Sequence, residues 1–181
     1  MNLGFAYGGL GRLEDAKASY QRAIDQLRAQ GERGIVADLA HALNNYGNVL
    51  SQQDREDEAL PYYLESLDIR AQVYGGHSES VAAQQLNVGR LLLDMQRAED
   101  ALTHLTEAHA MMPDFREEES IYVRVANMSW ARAVLLTSDD IDELQEAKIV
   151  LQAVVDGFAR DADFRESRYM KQASEWLAEA D

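Results

Sequence analysis

The stretch Ala42–Arg70, ALNNYGNVLSQQDREDEALPYYLESLDIR, decides the fold. In its first half Leu43, Tyr46 and Leu50 continue a stripe begun by Leu39, while His41, Asn45, Asn48 and Gln52 fall on the opposite side. Apolar residues three and four apart make one face of an amphipathic helix. A polar turn around Asp54 follows, and Ala59, Tyr63 and Ser66 then begin a second helix. The stretch predicts an antiparallel helix pair.

The same design recurs on both sides. Gly4 is followed twelve residues later by Ala16, then Tyr20 and Ala23; Gly47 is followed by Ala59, Tyr63 and Ser66; Gly89 is followed by Ala101, Leu105 and Ala108. Successive units are offset by 43 and then 42 residues, measured from Ala16 to Ala59 to Ala101. A small residue on each helix of a pair lets two backbones approach, and the larger residue four positions on fills the seam. The turn positions carry Gly11, Asp54 and Gln96, of which the first two suit a left-handed helix end and Gln96 fits it less well. Self-similarity at this period is the mark of a solenoid.

The first unit, Leu3-Gly4-x-x-Tyr7-x-x-x-Gly11-x-x-x-x-Ala16-x-x-x-Tyr20-x-x-Ala23, resembles the tetratricopeptide repeat signature. The central unit is similar to the longer subtype of kinesin light chains and bacterial signalling proteins, in Ala42-Leu43-Asn44-Asn45, Glu58-Ala59-Leu60-Pro61 and Ser66-Leu67-Asp68-Ile69-Arg70. The resemblance implies an all-α, right-handed α-solenoid of antiparallel helix pairs, closed by a C-terminal capping helix. It also implies a module that binds a peptide or partner protein segment in its concave groove, and not an enzyme.

The expected organisation is one domain over 1–181: repeat 1 at 1–32, repeat 2 at 33–75, repeat 3 at 76–113, an irregular repeat 4 at 114–160, and a capping helix within 161–181. Helices are expected at 1–10, 13–30, 33–53, 56–74, 79–95, 98–112, 116–137, 141–159 and 163–180. Pro61 predicts a late start or slight kink in its helix. Gly75-Gly76-His77-Ser78 marks a break, with Ser78 or Ser80 to cap the next helix. In the fourth unit Asn127-Met128-Ser129 matches Asn87-Val88-Gly89, but Ala147 follows Ser129 by eighteen residues, so six extra residues lengthen a loop or a helix. The last helix, with Phe164, Tyr169, Trp176 and Leu177 on its apolar side, is expected to cover the final seam. The first unit starts a few residues short, which suggests a piece of a longer array. Leu3, Phe5 and Tyr7 would then expose an apolar seam open to self-association.

Composition narrows the partners. A formal charge of −15, from 17 basic and 32 acidic residues, argues against nucleic acid or an anionic membrane, since phosphates need clustered Lys and Arg. No cysteine is present, which removes disulfides and thiolate metal sites. No long apolar run or leader-like start occurs, and a cytoplasmic chain is the expectation. No cofactor or metal is expected: His104 and His109, five apart, point about 140° away from each other around a helix.

In this repeat class the first helix of each unit lines the concave face. One inward position carries Asn2, Asn45, Asn87 and Asn127, spaced 43, 42 and 40 apart. In the family this asparagine often holds the backbone of an extended peptide, a task that suits an amide because it both donates and accepts. The alternative is hydrogen bonding within the scaffold. Three residues on lie Phe5, Asn48, Arg90 and Trp130. Trp130 is either core or pocket, and Arg90 either meets a ligand carboxylate or pairs with Asp94 one turn later. The candidate peptide-binding residues are therefore His41, Asn45, Asn48, Gln52, Asn87, Arg90 and Asn127. The family's clamp for chaperone C-terminal tails is not expected, because Asn44, Ala83 and Asn87 stand where it needs basic residues. Two other readings stand beside peptide binding: a sensor arm of a larger signalling protein, and a self-association module.

Overall fold

A computed structural model describes residues 13–30, 36–115, 117, 120–164 and 166–180. Eight helices follow one another among these residues: α1 (Leu13–Gln30), α2 (Val36–Ser51), α3 (Glu56–Tyr74), α4 (Glu79–Asp94), α5 (Ala98–Phe115), α6 (Ile121–Thr137), α7 (Ile141–Arg160) and α8 (Arg168–Glu179). Each packs on the next, and α4 also touches α6, as α6 touches α8. That alternation is the solenoid arrangement: α2, α4, α6 and α8 form one layer, and α1, α3, α5 and α7 the other. The helix expected at 1–10, with Asn2, Phe5 and the proposed seam, lies outside the described residues.

The recurring small residues do what their spacing predicts. Ala16, Ala59, Ala101 and Ala147 are all fully buried, and Tyr20, Tyr63, Leu105 and Leu151, four residues on in each case, are buried beside them. A Cβ added to Gly47 would lie 2.7 Å from the Tyr63 ring, and one added to Gly89 would lie 2.4 Å from Leu105 Cγ. Glycine is required there because the partner side chain occupies the space. Polar bonds lock the seams: within the α2–α3 pair Ser66 Oγ donates to the Ala40 carbonyl at 2.8 Å, and between pairs Gln84 Nε2 donates to the Tyr63 carbonyl at 3.1 Å.

The turns α2–α3 and α4–α5 share one geometry. Asp54 and Gln96 both adopt left-handed backbone, with φ of 55° and 60°. Behind each, a Schellman pair of bonds closes the helix, from Arg55 N to the Leu50 carbonyl (3.1 Å) and from Arg97 N to the Leu92 carbonyl (2.8 Å). Gln96 therefore takes the conformation its side chain fits poorly. Ser78, Ser120, Asp140 and Ser167 cap the N-termini of α4, α6, α7 and α8 through their side chains.

Four expectations need correction. Helix α3 starts at Glu56, five residues before Pro61, so there is no late start; the exposed Pro61 leaves out one ladder bond but the first turn is already formed. Helix α5 runs on through Pro113 to Phe115 rather than ending at 112. The expected start of the fourth unit's first helix at 116 moves to Ile121, behind the Ser120 cap. The last helix begins at Arg168 instead of 163, because turns fill 162–164: Asp161 Oδ1 accepts from Asp163 N at 3.1 Å, and Ser167 caps the helix that follows.

The irregular fourth unit resolves into longer helices. Thr137 ends α6 eight residues past Ser129, where Asp94 ends α4 five past Gly89. Ala147 lies six past the start of α7, where Ala101 lies three past the start of α5. The extra residues thus split into nearly one turn on each helix. The interior forms two clusters. One runs from α1 to α6, and the other joins α6, α7 and α8 around Phe158; Trp130 and Tyr169 touch both.

Candidate functional site

The layer of α2, α4, α6 and α8 brings four of the candidate residues into one cleft. Asn48, Gln52, Asn87 and Arg90 line a cavity of about 270 Å³, together with Tyr63, Asp94 and Arg168. Gln52 is exposed, and its side-chain amide is open to solvent. Asn48 Oδ1 accepts from the buried Tyr63 hydroxyl in a short bond. Burial pushes that phenol up to about 12, the nearby Arg90 opposing the rise, so it stays a donor at any ordinary pH.

The asparagine ladder is wired partly into the scaffold. Asn87 Nδ2 donates to Asn44 Oδ1 at 3.1 Å, which ties α4 to α2, and Asn44 Nδ2 donates to Asn45 Oδ1 at 3.4 Å. Asn127 Oδ1 lies 2.9 Å from His109 Nδ1, and His109 stacks on Trp130 with ring centres 4.4 Å apart. Trp130 is half-buried in this stack. His41 stands elsewhere: its Nδ1 is 3.3 Å from Arg70 Nη2, and the buried Arg70 also donates to Ser66 and Ser80. Burial, and then the Arg70 charge, hold His41 below its usual value. His41, Asn45 and Asn127 thus do not line the cleft.

Arg90 does not form the expected local pair with Asp94. It lies instead with its guanidinium carbon 5.9 Å from the centre of the Tyr169 ring. Asp94 remains in the cleft beside it, exposed at the surface; partial desolvation raises its carboxyl above the ordinary value, Arg90 pulls it down and Glu56 pushes it up. Through Arg90 and Asp94 the cleft continues into a second cavity of about 470 Å³ between α4, α6 and α8. Ser129, Arg132, Leu136, Gln172 and Trp176 line it. Arg132 sits over the Trp176 ring at 5.4 Å and pairs with Glu179 at 2.7 Å.

Sequence reasoning missed the contribution of α8. Arg168, Gln172 and Trp176 recur at intervals of four, a helical face, but a helix starting at 163 reads only as a cover for the apolar seam. Because α8 occupies the place of a fifth first helix, its inward residues share the groove. The arrangement can grip a chain chemically: amides donate and accept, guanidinium groups donate, and an apolar floor lies next to them. His104 and His109 bond different partners, Gln85 and Asn127. Among the described residues no three His, Asp or Glu groups stand together to hold a metal ion, and no helix is long and apolar enough to cross a membrane.

Tetratricopeptide repeat family profiles match residues 38–114 and residues 1–26. The chain belongs to the tetratricopeptide repeat family. Repeats of this family are protein–protein interaction scaffolds. Among solved structures, a Podosopora anserina kinesin light chain with nearly identical TPR-like repeats matches at a TM-score of 0.74 and 18% identity, over 99% of this chain and 82% of that one. A variant of the same protein matches at 0.75 and 16% over the same shares. BtubC (BKLC) of P. vanneervenii matches at 0.72 and 20%, over 87% of this chain and 61% of that one. Among curated proteins none matches. At these identities the likeness establishes a shared solenoid fold.

Proposed function

We propose that this tetratricopeptide repeat domain captures an extended peptide segment of a partner protein in the groove formed by α2, α4, α6 and α8. One observation carries the reading: Asn48, Gln52, Asn87 and Arg90, drawn from two successive repeats, converge on a single open cleft. The cleft continues past Arg90 and Asp94 toward Trp176, which gives a bound segment a polar stretch followed by an apolar one. Side-chain amides with unused donors and acceptors suit the main chain of a peptide, leaving the neighbouring cavity to select a side chain. Asn87 is fixed by Asn44 and Asn48 by Tyr63, so both amides are held in place before a ligand arrives, which lowers the ordering cost of binding.

The test is selection of nine-residue peptides from a random display library on the intact chain, followed by binding to Gln52→Ala and Asn87→Ala. Selected peptides should bind both variants at least several-fold more weakly, with the melting temperature of Gln52→Ala unchanged. Equal binding to wild type and Gln52→Ala, combined with loss of stability alone in Asn87→Ala, would show that the amides serve the scaffold and that the groove is not the site.

A further inference from the structure

We infer that the furrow between α3 and α5, on the layer opposite the groove, docks a basic amphipathic helix of a second partner protein. Leu60 and Leu64 of α3, Leu92 of α4, and Thr103 and His104 of α5 line a cavity of about 310 Å³ there. Leu64 is 37% exposed, while Leu92 is buried and forms the floor. The rim is acidic. Asp57, Leu60, Leu64 and Asp68 follow at intervals of three or four along one face of α3, and Glu99, Thr103 and Glu107 do the same on α5. An apolar floor thus lies between two rows of carboxylates. The furrow belongs to different helices from the groove, so it stands or falls separately from that reading.

Charge complementarity selects the partner. Five acidic residues on α3 and four on α5 stand against one basic residue, the buried Arg70. Helices α2 and α4, which complete the same pairs, hold only Asp38, Glu79 and Asp94 against Arg90. The negative charge of the central pairs is therefore gathered on this layer. Arg97 lines the furrow, but its charge is spent on Asp100 at 2.6 Å. Asp57, Asp68 and Glu99 are exposed, and among the described residues they make no ion pair. Burial, opposed by Glu107 and Asp100, holds His104 below its ordinary value, so it adds no positive charge at pH 7.5. A field of one sign speeds the encounter with an oppositely charged partner, and apolar contact in the furrow then prolongs it. Three leucines offer no bonds to a peptide backbone, so an extended strand would leave amides unpaired over this floor. A helix bonds its own backbone and can lay a leucine stripe in the furrow with lysines or arginines on either side. The stretch from Asp57 to Asp68 runs about 16 Å, some three turns of such a helix.

The test is a titration of the methyl-labelled full chain, at pH 7.5 and physiological salt, with a four-turn helical peptide carrying a leucine stripe flanked by lysines. Saturable shifts are expected at the Leu60, Leu64 and Leu92 methyls and not at Leu136 on the groove side. Leu64→Ser should weaken binding about tenfold while the melting temperature moves little, since that side chain is already partly exposed. Asp57→Asn/Asp68→Asn/Glu99→Gln should weaken it by a similar factor. Removing three charges from α7 instead, by Asp142→Asn/Glu143→Gln/Glu146→Gln, should change it by less than about twofold, because salt screens distant charges. Equal losses from the two triple variants would reduce the contact to bulk charge and overturn the site. Undiminished binding of a peptide with its leucines replaced by serines would do the same. Shifts at Leu136 in place of Leu64 would put the helix in the groove and equally contradict the inference. A groove-selected peptide and the helical peptide should bind together; mutual exclusion would merge the two sites and remove this one. Failure to select any groove peptide would leave the methyl shifts and the variants to decide the furrow alone.

Discussion

The central pairs α2–α5 and the C-terminal unit α6–α8 build the same architecture by different means. In the central pairs Gly47 and Gly89 let the first helix press directly on Tyr63 and Leu105. In the C-terminal unit Ser129, almost fully buried, stands at the corresponding position, so a side chain takes the place of glycine there. Helix α8 in turn buries only Ala173 completely and is held by rings and cations: Phe158 against Phe164 and Tyr169, and Arg132 over Trp176. Backbone contact fixes a seam to a single distance, whereas stacked side chains leave it adjustable. The cleft lies where the two regimes meet, with α2 and α4 on one side and α8 on the other.

The contrast breaks most visibly at Phe158, the largest fully buried side chain. Phe158→Ala should cost about 3–5 kcal/mol, read as a shift of the urea midpoint, and should loosen α8 while the central pairs keep their amide protection. Protection lost evenly along the chain would contradict two regimes. Gly89→Val should cost about 1–3 kcal/mol by overpacking, or more, because its Cβ meets both Leu105 and the Ala101 carbonyl. The matching exchange Ser129→Gly removes no necessary gap and should cost only about 1 kcal/mol, the helix penalty of glycine. If the two glycine-site changes cost the same, the close approach is not special to the centre.

Acid separates the regions more gently. His41 and His104, both in the central pairs, are held below the unfolded histidine value near 6.5, chiefly by burial. Their folded states bind protons less readily than the unfolded chain, so their contribution is complete above about pH 6.5 and is lost as pH falls from there toward the folded values. Urea midpoints measured from pH 8 to 5 should therefore fall less in His41→Gln/His104→Gln than in wild type. An identical slope would show that neither imidazole is held neutral. The smallest effect is expected at Gln96: Gln96→Gly should stabilise by about 0.5 kcal/mol, as relief of left-handed backbone slightly exceeds the added chain entropy.

Much of this was legible in the sequence, and for local reasons. Spacing of twelve from Gly47 to Ala59 and from Gly89 to Ala101 encodes the close approach directly, since both residues belong to one hairpin. The groove was legible only in part. Asn48, Gln52, Asn87 and Arg90 reach it, as their shared helix face implies, but Asn127 and His41 are taken by His109 and Arg70, partners from neighbouring helices that no local spacing announces. Arg168 was hidden for a different reason. Its place depends on where α8 begins, and the Asp161 turn that delays that start competes with a helix pattern continuous from 163.

The central claim is that the layer of α2, α4, α6 and α8 is the ligand surface. Hydrogen exchange on the intact chain, with and without a selected peptide, tests it most directly. Slowed exchange should appear over 45–52, 84–94 and 168–176 and leave the opposite layer, 58–72 and 100–112, unchanged. Protection confined to 58–72 and 100–112 would place the partner on the other face and contradict the account.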